Sequence, residues 1–314
     1  MIELICLGAI NWDINLFMER LPRNGEEVSV NEIQRVSGGT AAKVSVAAAR
    51  ILGRNKVAFI GALGDDSIAK EQIRILDDEG VDPNGVLIVK GEESGQAYIS
   101  ISEDGANEIH TYFGANLRIK GDHISDEERL GLIKEAKICV IMDPPVETAK
   151  RMAEECRRHG VKVIWDPGVY EGLDALPPTL QNVDYFILNH IEYENLLGTS
   201  DPKTVLKELG RATDDMTCII KHGADGCTLC EDDGTIIQME AVPLSDLGLK
   251  VVNTVGCGDA FIGGFAAGLV VGLSHIDALR QASAAGSYKA TKIETRGGPT
   301  RDQLDQLLNL WKAL

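Results

Sequence analysis

Short segments built almost entirely from apolar residues alternate along this chain with segments of helical periodicity. The apolar segments lie at residues 2–7, 57–60, 138–142, 162–165, 185–188 and 218–221. Helical patterns between and beside them lie at residues 41–52, 67–79, 146–159, 191–197 and 202–212. Strands that are apolar at nearly every position are typical of a parallel sheet covered on both faces. The chain is therefore predicted to be an α/β protein with a mostly parallel central sheet and helices on both sides.

Two regions interrupt this alternation with patterns of β-structure. Residues 14–36 are mixed in polarity and contain the turn signals Pro22 and Asn24-Gly25. Residues 92–115 include two alternating stretches around a turn at 103–106, which is the pattern of a hairpin. No linker separates either region from the rest. We therefore expect one domain, residues 1–314, that carries a small additional β-sheet.

The last third of the chain is predicted to contain a β-ribbon at 226–239 and helices near 258–272, 275–291 and 300–313. The longest apolar run, residues 260–273, is interrupted by glycines and is too short to span a bilayer. It is expected to be a buried helix at the centre of the fold. No membrane partner is expected.

Charge and cysteine content narrow the class of protein. The chain has 31 Lys and Arg against 48 Asp and Glu, a net charge of −17, which argues against a nucleic-acid surface. A local anion site remains compatible with that charge. The seven cysteines have no regular spacing and no secretory signal is visible, so a reducing cytoplasm is expected.

The most informative segment for function is residues 253–261, which read NTVGCGDAF. Its two glycines allow a tight turn that exposes backbone N–H groups at the start of the predicted helix, where the helix dipole favours an anion. Asp259 places a carboxylate beside that anion hole. A base next to a phosphate cradle is what a phosphotransferase with a hydroxyl acceptor needs. The alternative is an ordinary Gly-rich turn followed by a capping Asp.

This segment resembles the C-terminal signature of the PfkB or ribokinase family of sugar and nucleoside kinases, D-T-x-G-A-G-D-x-F. Residues 37–44 (SGGTAAKV) and 61–66 (GALGDD) resemble the N-terminal signature. Further matches in the family's order are GAINWD at 8–13, GAN at 114–116, DP at 166–167, NHIE at 189–192 and KHGADG at 221–226. The resemblance covers nearly the whole chain. It implies a ribokinase-like three-layer sandwich in which about 14–36 and 92–115 form a β-lid over the sugar site, a surface often used for homodimer contacts.

The resemblance implies a catalytic role for the segment at 253–261. Asp259 would take the proton from a substrate hydroxyl as its oxygen attacks the terminal phosphate of the donor. Gly256, Cys257 and Gly258 would neutralise charge on the transferring group through backbone N–H groups. Cys257 stands where the family commonly has alanine, and its thiol is expected to be buried and chemically silent.

The nucleotide side of the site would be built from two further motifs. By resemblance, Asn189 and Glu192 organise water around Mg²⁺ and the donor phosphates, with no direct protein ligand to the metal. The same pair fits an ordinary helix cap. Lys221, Gly223 and Gly226 resemble the strand and turn beneath the nucleotide, although a plain β-turn is compatible with these glycines. The chain has no G-x-x-x-x-G-K-[ST] motif, so P-loop chemistry is not expected.

The acceptor would bind near the end of the first predicted strand, where α/β folds place ligands. By resemblance, Asn11 and Asp13 hold sugar hydroxyls through charge-assisted hydrogen bonds. Gly38 and Gly39 would let the backbone approach the sugar. Asn116 matches the G-A-N motif and adds a polar contact, with a role in a turn as an equal alternative.

Two positions depart from the family pattern. Lys43 replaces the usual asparagine with a compact cation. One hypothesis is an acceptor that already carries a phosphate, such as ribose 1-phosphate, with Lys43 meeting that phosphate. The alternative is an ammonium that reaches water or Asp13, with a neutral acceptor bound.

Asn253 replaces the aspartate that helps to hold an activating monovalent cation in ribokinase. This replacement argues against K⁺ activation, although a backbone carbonyl remains as a ligand.

Cys227 and Cys230 form a C-x-x-C sequence that is not expected to bind metal. They lie in a predicted strand, where residues three apart point to opposite faces, and no second ligand pair has suitable spacing. The six histidines show no ligand or triad spacing and receive no role.

These observations predict a kinase that transfers phosphate from MgATP, or ADP, to a primary alcohol of a furanose sugar or sugar phosphate. A nucleoside is the second acceptor to consider, although the aromatic content of 5% argues mildly against it. A catalytically silent sugar-binding regulator is the alternative from another class. A kinase of a vitamin-type alcohol fits less well, because Asn11 and Asp13 match the sugar-kinase pattern.

Overall fold

A computed structural model describes residues 1–168, 176–210, 215–296 and 298–313. Its strands, in chain order, are β1 (Leu4–Gly8), β2 (Asn11–Met18), β3 (Glu32–Gly38), β4 (Val57–Gly64), β5 (Val81–Asp82), β6 (Val86–Val89), β7 (Gly95–Ser102), β8 (Asn107–Tyr112), β9 (Ile138–Met142), β10 (Lys162–Asp166), β11 (Tyr185–Asn189), β12 (Thr217–Lys221), β13 (Cys227–Cys230) and β14 (Ile236–Met239). Its α-helices are α1 (Thr40–Leu52), α2 (Ser67–Asp78), α3 (Gly121–Ile124), α4 (Glu127–Glu135), α5 (Val146–Arg158), α6 (Pro177–Leu180), α7 (His190–Leu197), α8 (Pro202–Leu209), α9 (Cys257–Val270), α10 (His275–Ala290) and α11 (Arg301–Lys312).

The central sheet follows the predicted alternation. Within the described ranges it has ten strands in the order β14-β13-β12-β11-β10-β9-β1-β4-β5, with β6 paired to β4. Pairing is parallel from β12 to β5, and β13 and β14 add an antiparallel ribbon at one edge. All residues of β1, β4 and β9 are buried, as expected for strands covered on both faces. The predicted α/β sheet is confirmed.

Helices cover both faces of this sheet and form a three-layer sandwich. On one face α3, α4, α5, α7 and α8 pack on a core that includes Trp165 and Phe186. On the other face α1, α2, α9 and α10 pack on a core that includes Phe59 and Phe265. Cys230 belongs to the first core and Cys227 to the second, which confirms that the two thiols point to opposite faces.

Helix α9 is the buried helix that the apolar run predicted. Its residues from Ala260 to Ala267 are all buried, because α1 and α10 pack directly against it. Its glycines allow this approach. A methyl group on Gly263 would lie 2.8 Å from Cβ of Ala47 in α1, and one on Gly264 would lie 2.8 Å from Cβ of Ala285 in α10.

A second, mixed sheet forms the lid, in the order β3-β2-β7-β8. Strands β2 and β7 are parallel, and β3 and β8 pair antiparallel to them at the edges. Strand β2 begins at Asn11, only three residues after β1 ends, so the lid is joined directly to the carboxyl edge of the central sheet. None of the helices in the described ranges has both the length and the apolar character needed to cross a membrane.

The structure adds short elements that the sequence patterns did not predict. Strands β5 and β6 have two and four residues, which is too short for periodicity to register. Helix α4 buries only two residues, Arg129 and Ile133, and so lacks a clear apolar stripe. The helix predicted at 202–212 corresponds to α8, which ends at Leu209, and residues 211 and 212 lie outside the described ranges.

We expect Gly264→Ala to lower the free energy of unfolding by about 1–3 kcal/mol, because the added methyl overlaps Ala285 in a close-packed interface. The matched control is Gly131→Ala in the middle of α4, where an added methyl meets nothing within 4 Å. That control should gain roughly 0.5–1 kcal/mol, since alanine is the better helix former. Urea denaturation of both variants measures the difference. Equal effects of the two substitutions would contradict the packing argument.

Candidate active site

Polar side chains stand at the carboxyl ends of four adjacent strands of the central sheet. Asp143 follows β9, Asp166 ends β10, Asn189 ends β11 and Lys221 ends β12. Since these strands are parallel, their carboxyl ends lie along one edge of the sheet, where α/β folds bind ligands. The structure therefore brings together residues that are up to 78 positions apart in the chain.

The loop before α9 faces the same edge and presents an anion hole. Gly256 has φ +86°, and a methyl group there would lie 2.1 Å from the carbonyl oxygen of Thr295, so only glycine fits. The N–H of Cys257 donates to the carbonyl of Thr254 over 3.2 Å. Among the described residues, no acceptor is found for the N–H groups of Gly258 and Asp259. These two donors at the helix N-terminus are available to an anion.

Asp259 lies half-buried in the first turn of α9. Burial raises the pKa of its carboxyl, and the ammonium groups of Lys43 and Lys221 oppose that increase. The two lysines approach from different elements, Lys43 from α1 and Lys221 from the end of β12. Asp259 is therefore a carboxylate held in the field of two cations, beside free N–H donors.

Lys221, at the end of β12, is held by an ion pair with Asp166. Its Nζ lies 2.9 Å from Oδ2 of Asp166, and both side chains are largely buried. Burial by itself lowers the pKa of Lys221, but the carboxylates of Asp166 and Glu192 outweigh it and the net shift is upward. The Nζ also lies 3.7 Å from the place that a methyl group on Gly258 would occupy. The ammonium is thus charged and next to the anion hole.

Asn189 and Glu192 form a reciprocal capping box at the start of α7. The Glu192 N–H donates to Oδ1 of Asn189 over 2.9 Å, and the Asn189 N–H donates to Oε2 of Glu192 over 2.7 Å. The capping alternative is thus present in the structure. It uses one oxygen of the Glu192 carboxylate, so it is compatible with a role beside the nucleotide. Burial and the nearby Asp166 raise the pKa of Glu192.

The glycines after β12 have structural explanations. Gly223 begins a 3₁₀ turn at φ +63°. Gly226 has φ +92°, and a methyl group there would lie 2.0 Å from the carbonyl oxygen of Met239 in β14. Both glycines therefore shape the turn into the antiparallel ribbon, and their contact with a nucleotide stays a prediction.

A buried ion pair between Asp13 and Lys43 lies where the lid strand β2 meets helix α1. The Lys43 Nζ lies 3.1 Å from Oδ2 of Asp13, whose side chain is 2% exposed. Apart from Lys43, that oxygen has no polar partner within the described part of the chain. Burial raises the pKa of Asp13, and Lys43 opposes the increase. Gly38 leaves room for the carboxylate, since a methyl group there would lie 2.0 Å from Oδ2.

Asn116 positions the turn between β1 and the lid. Its Oδ1 accepts from the Ile10 N–H over 3.0 Å, and its Nδ2 donates to Oδ1 of Asn11 over 2.9 Å. Gly39, at φ +88°, packs on the same turn, because a methyl group there would lie 2.5 Å from Cα of Ile10. Asn11 is therefore oriented by Asn116, which supports the turn role that the sequence left open.

Asp143 is a site residue that the sequence analysis missed. It has φ +51°, which is uncommon for a residue with a side chain, and it accepts a hydrogen bond of 2.9 Å from the hydroxyl of Thr40. Burial, together with the nearby Asp166, raises its pKa to about 7. Asp143 comes directly after the predicted strand at 138–142, just as Asp166 comes after the one at 162–165. This position could have identified Asp143 as a candidate.

Comparison with known proteins adds an independent line of information. The model of the pfkB family of carbohydrate kinases matches residues 1–301. An ATP-dependent ribose-1-phosphate kinase from Halopiger xanaduensis is 29% identical over 309 residues, which cover 98% of this chain and 99% of that protein. A ribokinase from Arabidopsis thaliana is 30% identical over 297 residues, which cover 90% of this chain and 75% of that protein.

A solved structure of Arabidopsis thaliana ribokinase, complexed with ribose and ATP, has the same fold. It superposes with a TM-score of 0.87 at 28% identity and covers 98% of this chain and 99% of that one. The match includes both the central sheet and the lid, since almost the whole chain is aligned. The ribokinase-like architecture predicted from the sequence is confirmed.

The raised pKa of Asp143 gives a testable pH dependence. The folded-state value of about 7 lies above the ordinary 3.8, so the folded protein keeps this proton where the unfolded chain releases it. The contribution of this carboxyl to stability therefore falls as pH rises through that window. Asn tolerates the same backbone conformation and still accepts from Thr40. As pH rises from about 5 to 8, we expect the free energy of unfolding to fall by about 2 kcal/mol less in Asp143→Asn than in the unsubstituted protein.

Urea denaturation at a series of pH values measures this difference. The control is Asp122→Asn, which changes an exposed carboxylate in α3. Stability curves of the Asp143 variant that run parallel to those of the unsubstituted protein would contradict the assignment.

Proposed function

The chain belongs to the pfkB family of carbohydrate kinases, and on that premise we propose that it transfers the terminal phosphate of ATP to a primary hydroxyl of a furanose sugar or furanose phosphate. The position of Asp259 carries this proposal. Its carboxylate stands in the first turn of a buried helix, beside N–H donors that have no acceptor among the described residues. That is the juxtaposition of base and anion hole that phosphoryl transfer to an alcohol requires.

The reaction follows from this placement. As the acceptor oxygen attacks the terminal phosphorus, its proton passes to the carboxylate of Asp259. A new P–O bond forms, and the bond between the terminal phosphorus and the bridging oxygen breaks to release ADP. The N–H groups of Gly258 and Asp259 and the ammonium of Lys221 stabilise charge on the transferring group. Lid closure over the acceptor would exclude water, which would otherwise be phosphorylated in its place.

The donor side fits a nucleotide that carries Mg²⁺. Burial and the nearby carboxylates of Asp166 and Asp259 raise the pKa of Asp143 and that of Glu192. Lys221 pairs with Asp166 at 2.9 Å. This surplus of acidic oxygens suits a hard divalent cation. Asp166 and Glu192 would hold its water shell, and the bound ion would neutralise the donor phosphates. The two relatives named for ATP support ATP over ADP as the donor.

The ion pair of Lys43 bears on the acceptor. Burial opposes charge on the Lys43 ammonium, but the carboxylates of Asp13 and Asp259 outweigh burial and raise the pKa of Lys43. Lys43 is paired with Asp13 at 3.1 Å and also lies in the field of Asp259, so nearby negative charge offsets much of its attraction for a phosphate dianion. We infer that Lys43 and Asp13 together bind ring hydroxyls, which both ribose and ribose 1-phosphate offer. This favours the interpretation in which the ammonium reaches Asp13, and it applies to neutral and phosphorylated acceptors alike.

Asp259→Asn is expected to lower kcat by about 10²–10⁴-fold, because it removes the general base while keeping the size of the side chain. Binding of ATP, followed by calorimetry, should change little. Assays would pair ATP or ADP with ribose, ribose 1-phosphate, fructose 6-phosphate and common nucleosides. Asp232→Asn, an exposed change in the turn between β13 and β14, is the control. Full activity of the Asp259 variant on its best acceptor would overturn the proposal.

Lys43→Met should raise KM for ribose and for ribose 1-phosphate by similar factors, each about tenfold or more, since a charge-assisted contact is lost in both complexes. The control is Lys70→Met, which alters an exposed lysine in α2. Steady-state kinetics with both acceptors provides the comparison. A loss confined to ribose 1-phosphate would instead show that Lys43 reads the phosphate.

A further inference from the structure

Lys289 is a fully buried lysine that the proposed reaction does not use. It lies near the end of α10 with 0% exposure, and it is among the largest completely buried side chains of the described residues. An ammonium removed from water in this way is costly unless oxygen atoms surround it. A side chain that only fills space at this position would be apolar. We therefore expect a function that needs the positive charge of Lys289.

The ammonium of Lys289 reaches the first residue of the loop that carries the anion hole. Its Nζ donates to the carbonyl oxygen of Asn253 over 2.8 Å. The side chain of Asn253 is used elsewhere in the loop, because its Oδ1 accepts from the Val255 N–H and its Nδ2 donates to the carbonyl of Ile293. Lys289 thus binds the backbone at the point where the loop begins.

The same side chain lies under the middle of the loop. Its Cε is 3.5 Å from the place that a methyl group on Gly256 would occupy, and the carbonyl of Thr295 lies 2.1 Å from that place. Gly256 is therefore enclosed between the lysine side chain and the backbone of residue 295. The loop cannot shift toward α10 without displacing Lys289.

Several charged groups near Lys289 affect the pKa of its ammonium. Burial lowers the pKa of Lys289, and the carboxylate of Asp259 opposes this shift without outweighing it. The charged groups of Lys43 and Glu294 also face this region, with opposite effects. Cys257 is half-buried and burial raises the pKa of its thiol, so the neighbour of Lys289 in the loop is a neutral group. The ammonium of Lys289 is then a second cation at this loop, next to residues 253 and 256, in addition to Lys221 beside Gly258.

We propose that Lys289 is a positioning residue whose ammonium acts as a built-in monovalent cation beneath residues 253–258. It holds the carbonyl of Asn253, supports Gly256 and adds positive charge behind the anion hole. This inference rests on the proposed phosphoryl transfer at Asp259. Its consequence is that catalysis should require no added monovalent cation, because Lys289 already supplies a positive charge beneath this loop.

Two substitutions separate charge from packing. Lys289→Met keeps most of the side-chain volume and removes the cation, whereas Lys289→Ala also leaves a cavity lined by the Asn253 carbonyl. With the best acceptor, kcat of both variants should fall about tenfold or more, with KM for the acceptor little changed, since a preorganised charge beside the transferring group is lost. NH₄⁺ or K⁺ should restore kcat of the Ala variant but not of the Met variant, while choline restores neither.

Lys292→Ala is the matched control, because it removes the same charge three residues further along the chain, where the ammonium lies 4.4 Å over the ring of Tyr288. It should leave kcat unchanged. The unsubstituted enzyme should have equal kcat in potassium, sodium and choline chloride at one ionic strength. Unequal values would overturn the inference even if both Lys289 variants fail to fold.

A strict requirement of the unsubstituted enzyme for K⁺ would overturn the inference. Full kcat of folded Lys289→Met, or a folded Lys289→Ala that no cation restores, would do the same. Absence of turnover in the unsubstituted protein with every donor and acceptor would instead count against the proposed function. The two failures are therefore distinguishable.

Discussion

The candidate site depends on how closely helix α9 packs between α1 and α10. Gly263 and Gly264 present bare backbone to Ala47 and Ala285, and side chains at these positions would force the helices apart. Both α1 and α9 begin at the same edge of the central sheet. Their close approach therefore brings Lys43 and Asp259 into one another's field. The third helix, α10, carries Lys289 under the loop that precedes α9.

Charge in the site is arranged in pairs because isolated buried ions are costly. Lys43 lies 3.1 Å from Asp13, Lys221 lies 2.9 Å from Asp166, and Lys289 donates to a backbone carbonyl. Asp259 stands between the first two lysines and titrates in the field of both. The helix N–H donors and the lysines around Asp259 form a local anion site within a chain of net charge −17. The carboxylates on the proposed donor side would need a divalent cation to accept a polyanionic nucleotide.

Much of the fold and part of the site were predictable from local patterns. Buried parallel strands register as apolar runs, and β9 (Ile138–Met142) was predicted with its observed bounds. The motif at 253–261 located the anion hole because its glycines act within a few residues of one another. Asp143 was missed, since nothing in its own neighbourhood reveals that Asp166 and Thr40 lie beside it. Asn116 was left with two alternatives, because its partner Ile10 is 106 residues away in the chain.

The sequence by itself determined the α/β architecture, the kinship with carbohydrate kinases and the identity of the candidate base, because periodicity and short motifs are local properties. Only the tertiary structure decided that Lys43 pairs with Asp13, that Asn189 and Glu192 cap a helix, and that a lysine supports the anion hole. Lys289 and Asn253 are separated by 36 residues and belong to different elements. Which buried charge meets which oxygen is set by helix packing across the sheet, and no pattern within one segment contains that information.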